Sequence, residues 1–247
     1  MNIPSDALDI LTNFIRTRVS EANSDGVILG LSGGIDSAVT LSLAVNALGS
    51  EKVAGLVMPF TVTKSVDLAV NHAKSLNVTS KIIKISDIVS SYKNSSSLFT
   101  EQLSEGNLHS RIRMSLLYGA GFSSNYLVIG TSNKSELLIG YWTKWGDGGT
   151  DFLPIGDLYK TQIFELGKIL EIPSEILDRK PTAELWPDQT DEEEFGFTYA
   201  ELDTVLYELE RFNTIAQINK KTGISDDKII KIRELISSSI HKRVCPP

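Results

Sequence analysis

The sequence predicts an α/β fold, a doubly wound parallel sheet of five strands with helices on both faces, followed by C-terminal helices. Three observations predict it. Short apolar runs alternate with stretches of helical spacing, a glycine-rich turn follows the first run, and two amphipathic stretches close the chain. Strands buried on both faces read as continuous apolar runs, and their alternation with helices implies right-handed crossovers.

Composition limits the class of protein. The 247 residues are 41% hydrophobic and 22% charged, which is ordinary for a globular chain, and we expect a single domain over 1–247. No apolar run is long enough to span a membrane. The net charge of −7 argues against a protein that grips nucleic acid. The N-terminus carries an acid where a secretory signal would be basic, so we expect a cytoplasmic location.

The first half of the chain alternates helices and strands. Leu8, Leu11, Ile15 and Val19 follow helical spacing, and the next apolar run is of the kind expected in a buried parallel strand. The predicted elements are a helix at 4–22, a strand at 26–31, a helix at 35–48, a strand at 52–58, a helix at 65–76 and a strand at 80–85.

The second half is less regular. A serine-rich stretch at 90–97 predicts a mobile surface loop, a Gly- and Asp-rich stretch at 146–156 predicts a long ordered loop, and an acidic stretch at 187–194 predicts a solvated loop. The regular elements predicted here are a strand at 126–130 and helices at 107–119, 159–170, 174–177, 199–211 and 226–237.

A glycine turn separates the first strand from the next helix. Gly33 and Gly34 let the backbone approach a ligand closely, and Ser32 and Ser37 offer hydroxyl donors. Backbone N–H groups at a helix N-terminus suit a chain of phosphates, and Asp36 is then placed to hold a magnesium ion shared with them. The alternative is a tight turn in which Asp36 only favours the helix dipole.

This turn is neither a Walker A loop nor a dinucleotide fingerprint, because it lacks their lysine and their glycine spacing. The stretch 32–37, which reads SGGIDS, resembles the pyrophosphate loop of the N-type ATP pyrophosphatases. That superfamily includes GMP synthetase, asparagine synthetase, tRNA-thiolating enzymes and NAD synthetase. Its members cleave ATP between the α and β phosphates and transfer AMP to a substrate oxygen. The loop leaves the substrate open.

Five later stretches narrow the resemblance. They read GTSNKSE at 130–136, GYWTKWGDGGTD at 140–151, LPIGDLYK at 153–160, KPTAEL at 180–185 and HKR at 241–243. Together they resemble NAD synthetase across essentially the whole chain. The family implies that the carboxylate of deamido-NAD is adenylated by ATP and that ammonia then displaces AMP. It also implies a homodimer with the dinucleotide site near the subunit interface.

The resemblance implies an ATP site, a deamido-NAD site and a magnesium site. The residues expected to contact ATP are Gly30, Leu31, Ser32, Gly33, Gly34, Ile35, Asp36, Ser37, Thr131, Lys160 and Thr182. Those expected to contact deamido-NAD are Arg111, Lys144, Asp151, His241 and Lys242. Asp36 and Glu136 are the expected Mg²⁺ ligands, and the expected catalytic residues are Asp36, Lys144, Asp151 and Lys160.

Each of these residues has a simpler interpretation. Lys144 and Lys160 could be ordinary exposed lysines, because lysines are rarely buried. Asp147 and Asp151 could be turn residues of a glycine-rich loop, and His241 could belong to a disordered tail.

The nitrogen donor is the point at which the sequence departs from the family. Many bacterial members read GTDHAAE where this chain reads GTSNKSE, a version associated with other branches, including glutamine-dependent members. Those members carry a glutaminase domain with a catalytic cysteine. The only cysteine here, Cys245, is the third residue from the end of the sequence. We therefore expect free ammonia as the donor, unless a separate subunit supplies it.

Two other functions compete with this one. Another enzyme of the superfamily, such as a tRNA thiolase, would be expected to show a basic surface and often catalytic cysteines. A non-catalytic ATP-binding module would have no need for Glu136, Lys160 and the 146–151 loop together with Asp36.

Overall fold

The structure, a computed structural model, describes residues 2–182 and 190–244. Within them four strands form one parallel sheet in the order β3-β2-β1-β4. The strands are β1 (Gly26–Gly30), β2 (Val53–Val57), β3 (Thr79–Ile82) and β4 (Tyr126–Val128). None of the helices in these two ranges combines the length and the hydropathy of a membrane-spanning segment.

The helices pack on both faces of the sheet and extend beyond it at the C-terminal end of the chain. They are α1 (Ala7–Glu21), α2 (Ile35–Leu48), α3 (Lys64–Ser75), α4 (Ser86–Ser95), α5 (Gln102–Ser124), α6 (Lys134–Ile139), α7 (Lys160–Ile169), α8 (Ser174–Leu177), α9 (Asp191–Phe195), α10 (Tyr199–Glu210), α11 (Ile215–Thr222), α12 (Asp226–Ser238) and α13 (Ile240–Arg243).

Alternation along the central strand explains the two layers. Val27 and Leu29 on β1 enter a core with helices α1, α2, α3 and α7, whereas Ile28 enters a second core with α4 and α5. Successive strand residues point to opposite faces, so one buried strand feeds both cores. A third apolar cluster joins α6 to helices α9 to α12. The predicted α/β class, with a parallel sheet and helices on both faces, is confirmed.

The predicted fifth strand is wrong. Where a strand beside β4 would lie, Phe152 makes one isolated parallel bridge to Ile129, and Gly130 N–H donates to Phe152 O over 2.9 Å. Two residues later Pro154 has no N–H to offer a ladder, and a run of glycines precedes the bridge. Four strands therefore form the sheet within the described residues.

Two predicted loops are also wrong. The stretch 90–97 belongs largely to α4, because Val89 is buried and the Ser90 and Ser91 hydroxyls donate back to carbonyls four residues earlier at 2.8 and 2.9 Å. Of the acidic stretch 187–194, the part from Asp191 onward forms α9, which Thr190 caps by accepting from Glu193 N–H. The predictions for 187–189, for Cys245 and for 183–185 of the KPTAEL stretch lie outside the described residues.

Candidate active site

The candidate site lies where the strand order reverses. The chain runs outward from β1 through β2 to β3 and then returns to place β4 on the other side of β1. Ligands of open α/β sheets bind at such a switch point, outside the carboxyl ends of the strands. Because β1 and β4 are parallel neighbours, the segments that follow them meet at one edge. These segments contain Asp36 and Glu136.

The loop after β1 is shaped by its own serines and by one obligatory glycine. Gly33 has φ +78°, and a Cβ there would lie 2.3 Å from the main-chain oxygen of Ser65. Ser37 Oγ donates to Gly34 O at 3.0 Å, and Gly34 N–H donates to Ser32 Oγ at 3.2 Å. The loop thus leads into the N-terminus of α2 with a fixed shape, as an anion-binding loop requires.

The predicted ATP residues within this loop differ in what they can offer. Leu31 and Ile35 point their side chains into the core, so a ligand could meet only their backbone. Gly30 ends β1, Ser32 is exposed and Asp36 is half-buried. The loop therefore offers mainly backbone groups and one hydroxyl, with Asp36 as its charged side chain.

Lys160 is the buried cation of the site. Its Nζ donates to Asp36 Oδ2 at 2.5 Å and to Glu136 Oε1 at 3.2 Å, and its side chain is only 2% exposed. Asn133 Nδ2 donates to the other Asp36 oxygen at 2.9 Å. Lys160 begins α7, and its backbone N–H donates to Ser135 Oγ at 2.9 Å. Residues more than 120 positions apart thus form one charged cluster.

Glu136 is held rigidly at the first turn of α6. Its backbone N–H donates to Asn133 Oδ1 at 3.1 Å, and its Oε2 accepts from Asn133 N–H at 3.2 Å, which is a capping box. One carboxylate oxygen is thereby used for the cap while Oε1 faces Lys160. Asn133 contacts both acids and was not among the predicted site residues, although it lies in the GTSNKSE stretch.

The cluster is rich in negative charge. Burial, and then the neighbouring Asp36 and Asp191, raise the pKa of Glu136 to about 8, although Lys160 opposes the rise. Burial disfavours the charge of Lys160, but Asp36, Glu136 and Asp191 outweigh it and hold the Lys160 pKa above its ordinary value. Three carboxyl groups therefore lie around one ammonium group, which disfavours full ionisation of all three, and a further cation would favour their charged forms.

Asp191 is a third acid that the sequence analysis missed. It is 3% exposed, and its carboxylate accepts from Tyr199 Oη at 2.8 Å and from Tyr141 Oη at 3.2 Å. The face of the Tyr199 ring lies 5.0 Å from Lys160 Nζ. Burial raises the Asp191 pKa while Lys160 lowers it. The run of acids around Asp191 reads as a solvated surface, and nothing local distinguishes the buried one.

A second group of predicted residues lies around the 140–146 turn. Arg111 Nε on α5 donates to Lys144 O at 3.2 Å, and Lys144 Nζ donates to His241 O at 3.1 Å. Lys242 Nζ donates to the carbonyls of Gly140 and Trp142, each at 2.6 Å. The structure thus brings Arg111, Lys144, His241 and Lys242 together, and we call these four residues the cationic turn group.

Asp151 lies elsewhere. Its Oδ2 accepts from Val128 N–H at 2.7 Å, so it caps the edge strand β4, and its Oδ1 accepts from Tyr118 Oη at 3.1 Å. Asp147 closes its own turn by accepting from Ser110 Oγ at 2.5 Å and from Thr143 N–H at 3.0 Å. Asp147 therefore has the turn contact that the simpler interpretation expected, whereas the Asp151 side chain contacts β4 and α5.

The last two predicted ATP residues are Thr131 and Thr182. Thr131 is half-buried and lies two residues before Asn133, and Thr182 is half-buried in irregular chain after α8. A further cation, Arg179, was missed by the sequence analysis. Its Nη1 donates to Gly33 O at 3.4 Å, which places a guanidinium beside the glycine loop.

A magnesium ion fits the chemistry of the cluster. Asp36 and Glu136 offer carboxylate oxygens that converge on one point, since both contact Lys160 Nζ. Across 2–182 and 190–244, no three His, Cys, Asp or Glu side chains are arranged to hold a metal ion. Mg²⁺ commonly takes one or two carboxylates and completes its shell with phosphate oxygens and water. The two acids could serve such a shared ion.

The switch-point loop, the buried lysine and the paired acids define an α/β nucleotide-binding enzyme. A family model described as NAD synthase matches residues 7–246. The chain belongs to the NAD synthase family, and the resemblance predicted from its sequence is confirmed.

Individual relatives agree with this assignment. The chain is 49% identical over 240 residues to the NH(3)-dependent NAD(+) synthetase of Archaeoglobus fulgidus. This alignment covers 96% of this chain and 93% of the relative. A structure described as NMN synthetase from Francisella tularensis has a TM-score of 0.88 and 35% identity, over 99% of this chain and 98% of its own. The structure of NH3-dependent NAD synthetase from Campylobacter jejuni, in complex with nitrate, has a TM-score of 0.82 and 34% sequence identity. The match covers 98% of this chain and 97% of that chain.

Proposed function

We propose that the chain uses ATP and ammonia to amidate the nicotinate carboxylate of deamido-NAD, giving NAD, AMP and pyrophosphate. The observation that carries this proposal is Lys160 Nζ held between Asp36 and Glu136 beside the glycine loop. An ammonium group fixed by Asp36 and Glu136 at the proposed phosphate site would be preorganised for charge that develops on phosphate.

The reaction has two steps. A carboxylate oxygen of the substrate attacks the α-phosphorus of ATP, the bond to the α,β-bridging oxygen breaks, and pyrophosphate leaves. Ammonia then attacks the acyl carbon, AMP leaves with the electrons of the acyl–oxygen bond, and the nitrogen loses a proton to solvent. Adenylation is needed because a free carboxylate would have to expel oxide.

The residues divide this work. The backbone of 30–37 would cradle the phosphates, with Thr131 and Thr182 on the same ligand, and Lys160 would neutralise the leaving pyrophosphate. Asp36 and Glu136 would hold Mg²⁺, which when bound supplies positive charge to the phosphate oxygens. The cationic turn group and Asp151 would bind deamido-NAD.

Free ammonia is the proposed donor. The Archaeoglobus relative of nearly equal length is named NH(3)-dependent, and the chain covers 93% of it. The test is an assay of NAD production from ATP, magnesium, deamido-NAD and either ammonium or glutamine, with a coupled dehydrogenase as readout. Activity with ammonium and none with glutamine is expected, and activity with glutamine alone would contradict the donor.

The Francisella structure supports a second candidate substrate, nicotinate mononucleotide, since that protein is described as NMN synthetase. The reacting carboxylate is the same in both molecules, and they differ by the adenylate half of the dinucleotide. Comparing kcat/KM for the two substrates separates them. A higher kcat/KM for deamido-NAD is the expected result.

We also propose a cytoplasmic homodimer with its interface near the dinucleotide site. Arg111, Tyr118 and Phe122 lie on one face of α5, at helical spacings of seven and four, and Phe122 is 91% exposed. Tyr118 also holds Asp151. Phe122→Asp should convert a dimer to a monomer in sedimentation velocity, and a wild-type protein that sediments as a monomer would contradict the proposal.

A further inference from the structure

Asp191 is buried in the Lys160 cluster and has no role in the reaction steps described above. A carboxylate that is 3% exposed loses most of its hydration, and among the described residues its side-chain donors are the neutral hydroxyls of Tyr141 and Tyr199. Burying an ionised acid with neutral partners costs stability, and an apolar residue would pack more favourably. Its place beside Lys160 therefore calls for a role other than stability.

The side chain of Asp191 reaches Lys160 through Tyr199. Tyr199 Oη donates to Asp191 Oδ2 at 2.8 Å, and the same ring lies 5.0 Å from Lys160 Nζ. A phenol that donates to a carboxylate gains electron density in its ring, and a richer ring attracts a cation more strongly. Asp191 thus fixes the orientation of the ring and strengthens its hold on the ammonium group.

The main chain of Asp191 reaches the other side of the site. Its backbone N–H donates to Pro181 O at 3.2 Å. Thr182, a proposed ATP-binding residue, follows directly. One residue therefore contacts both the platform under Lys160 and the backbone next to Thr182.

We infer that Asp191 is a positioning residue for adenylation, which orients Tyr199 beneath Lys160 and holds the backbone at Pro181 next to Thr182. This inference rests on the proposed role of Lys160. Unlike Asp36 and Glu136, which contact Lys160 directly, Asp191 makes its side-chain hydrogen bonds to tyrosine hydroxyls.

The test uses ATP–pyrophosphate exchange with deamido-NAD and magnesium in the absence of ammonia, which isolates the first step. Asp191→Asn keeps the size of the side chain but removes its charge and replaces one of its two accepting oxygens with a donating amide group. Tyr199→Phe keeps the ring but removes its anchor. Each should lower the kcat of exchange about tenfold or more, since small displacements of a catalytic group cost this much, with the KM for deamido-NAD unchanged. Because both changes act on one unit, the double variant should be no slower than the slower single variant.

Three controls keep the inference distinguishable from its alternatives. Glu194→Gln alters the exposed acid that also accepts from Tyr141, at 2.8 Å, and should exchange at the wild-type rate. Melting temperature and active-site titration correct for misfolded enzyme, and Tyr199→Phe serves if Asp191→Asn fails to fold. Lys160→Ala tests the parent proposal, because normal exchange in that variant would refute the role of Lys160 itself.

The inference is overturned if Lys160→Ala is inactive while Asp191→Asn and Tyr199→Phe exchange at the wild-type rate per active site. Effects of the two variants that multiply in the double variant would also overturn it, since residues acting through one platform cannot contribute independently.

Discussion

Lys160 and the lysines of the cationic turn group differ in burial and in the groups that their ammonium nitrogens contact. Lys160 is buried and contacts two carboxylates at 2.5 and 3.2 Å. In the cationic turn group, Lys144 and Lys242 are half-buried, and their ammonium groups contact backbone carbonyl oxygens at 2.6 to 3.1 Å. In the ligand-free protein the carboxylates position Lys160 and balance its charge, whereas the carbonyls orient Lys144 and Lys242 without balancing theirs.

From this difference we expect the Lys160 cluster to act in adenylation and the cationic turn group to act in binding the acceptor. The Lys160 cluster is preorganised and negative, so it suits a magnesium nucleotide. The cationic turn group presents positive charge on a chain whose net charge is −7, so it suits the phosphates of a dinucleotide. Changes in the first should therefore affect the rate of adenylation, and changes in the second should affect the KM of the acceptor.

Replacing the buried lysine should have the largest effect. Lys160→Ala should lower kcat by at least about 10²- to 10³-fold, as loss of a preorganised charge-stabilising group does elsewhere. Steady-state NAD formation measures it. Lys168→Ala is the matched control, because Lys168 is a lysine of the same helix with a 64% exposed side chain. A loss of similar size in both variants would remove the distinction between buried and exposed cations.

Replacing a lysine of the cationic turn group should affect binding instead. Lys144→Ala should raise the KM for deamido-NAD about 10- to 100-fold, which corresponds to losing one charged hydrogen bond of roughly 1.5–3 kcal/mol. The KM for ATP should stay near the wild-type value. A variant with normal KM for deamido-NAD and a lowered kcat would move Lys144 to the chemical step.

Glu136 should make the ligand-free protein sensitive to pH. Its pKa of about 8 lies above the ordinary 4.5, so between these values the folded protein holds a proton that the unfolded chain has released. The free energy of unfolding should therefore fall as pH rises from about 5 to 8. Glu136→Gln should flatten this dependence in urea titrations. A variant with the wild-type slope would show that other groups cause it.

Added salt should weaken the cationic turn group more than the Lys160 cluster, with a smaller effect than the substitutions above. Partly exposed charges are screened over a Debye length of about 10 Å at 0.1 M, and buried pairs are screened much less. Raising sodium chloride should increase the KM for deamido-NAD by a larger factor than it changes kcat. An equal response of both parameters would contradict the contrast in exposure.

Much of the fold could be predicted because continuous apolar strands and amphipathic helices carry their pattern locally. The four strands assigned from the sequence, and the helix beginning at Ile35, are present. The errors arose where tertiary contacts outweigh composition. Val89 anchors a serine-rich helix in the core, and the region of Phe152 keeps only one bridge of a strand.

The site divides in the same way. The sequence predicted three residues that lie together in the structure: Asp36, Glu136 and Lys160. The ligands assigned to them stay predictions. The single domain over 1–247 also stays a prediction. Asp191 could not be predicted, because its burial depends on Tyr141 and Tyr199, which are distant or unremarkable in the sequence. A buried acid within an acidic run has no local signature.

The cluster containing Asp36 is proposed to activate a carboxylate by splitting ATP to pyrophosphate. ATP–pyrophosphate exchange without ammonia measures that step alone. The wild-type protein should exchange label only when deamido-NAD is present, and Asp36→Asn should abolish the exchange while melting near the wild-type temperature. Exchange that persists in a folded Asp36→Asn variant would contradict the account.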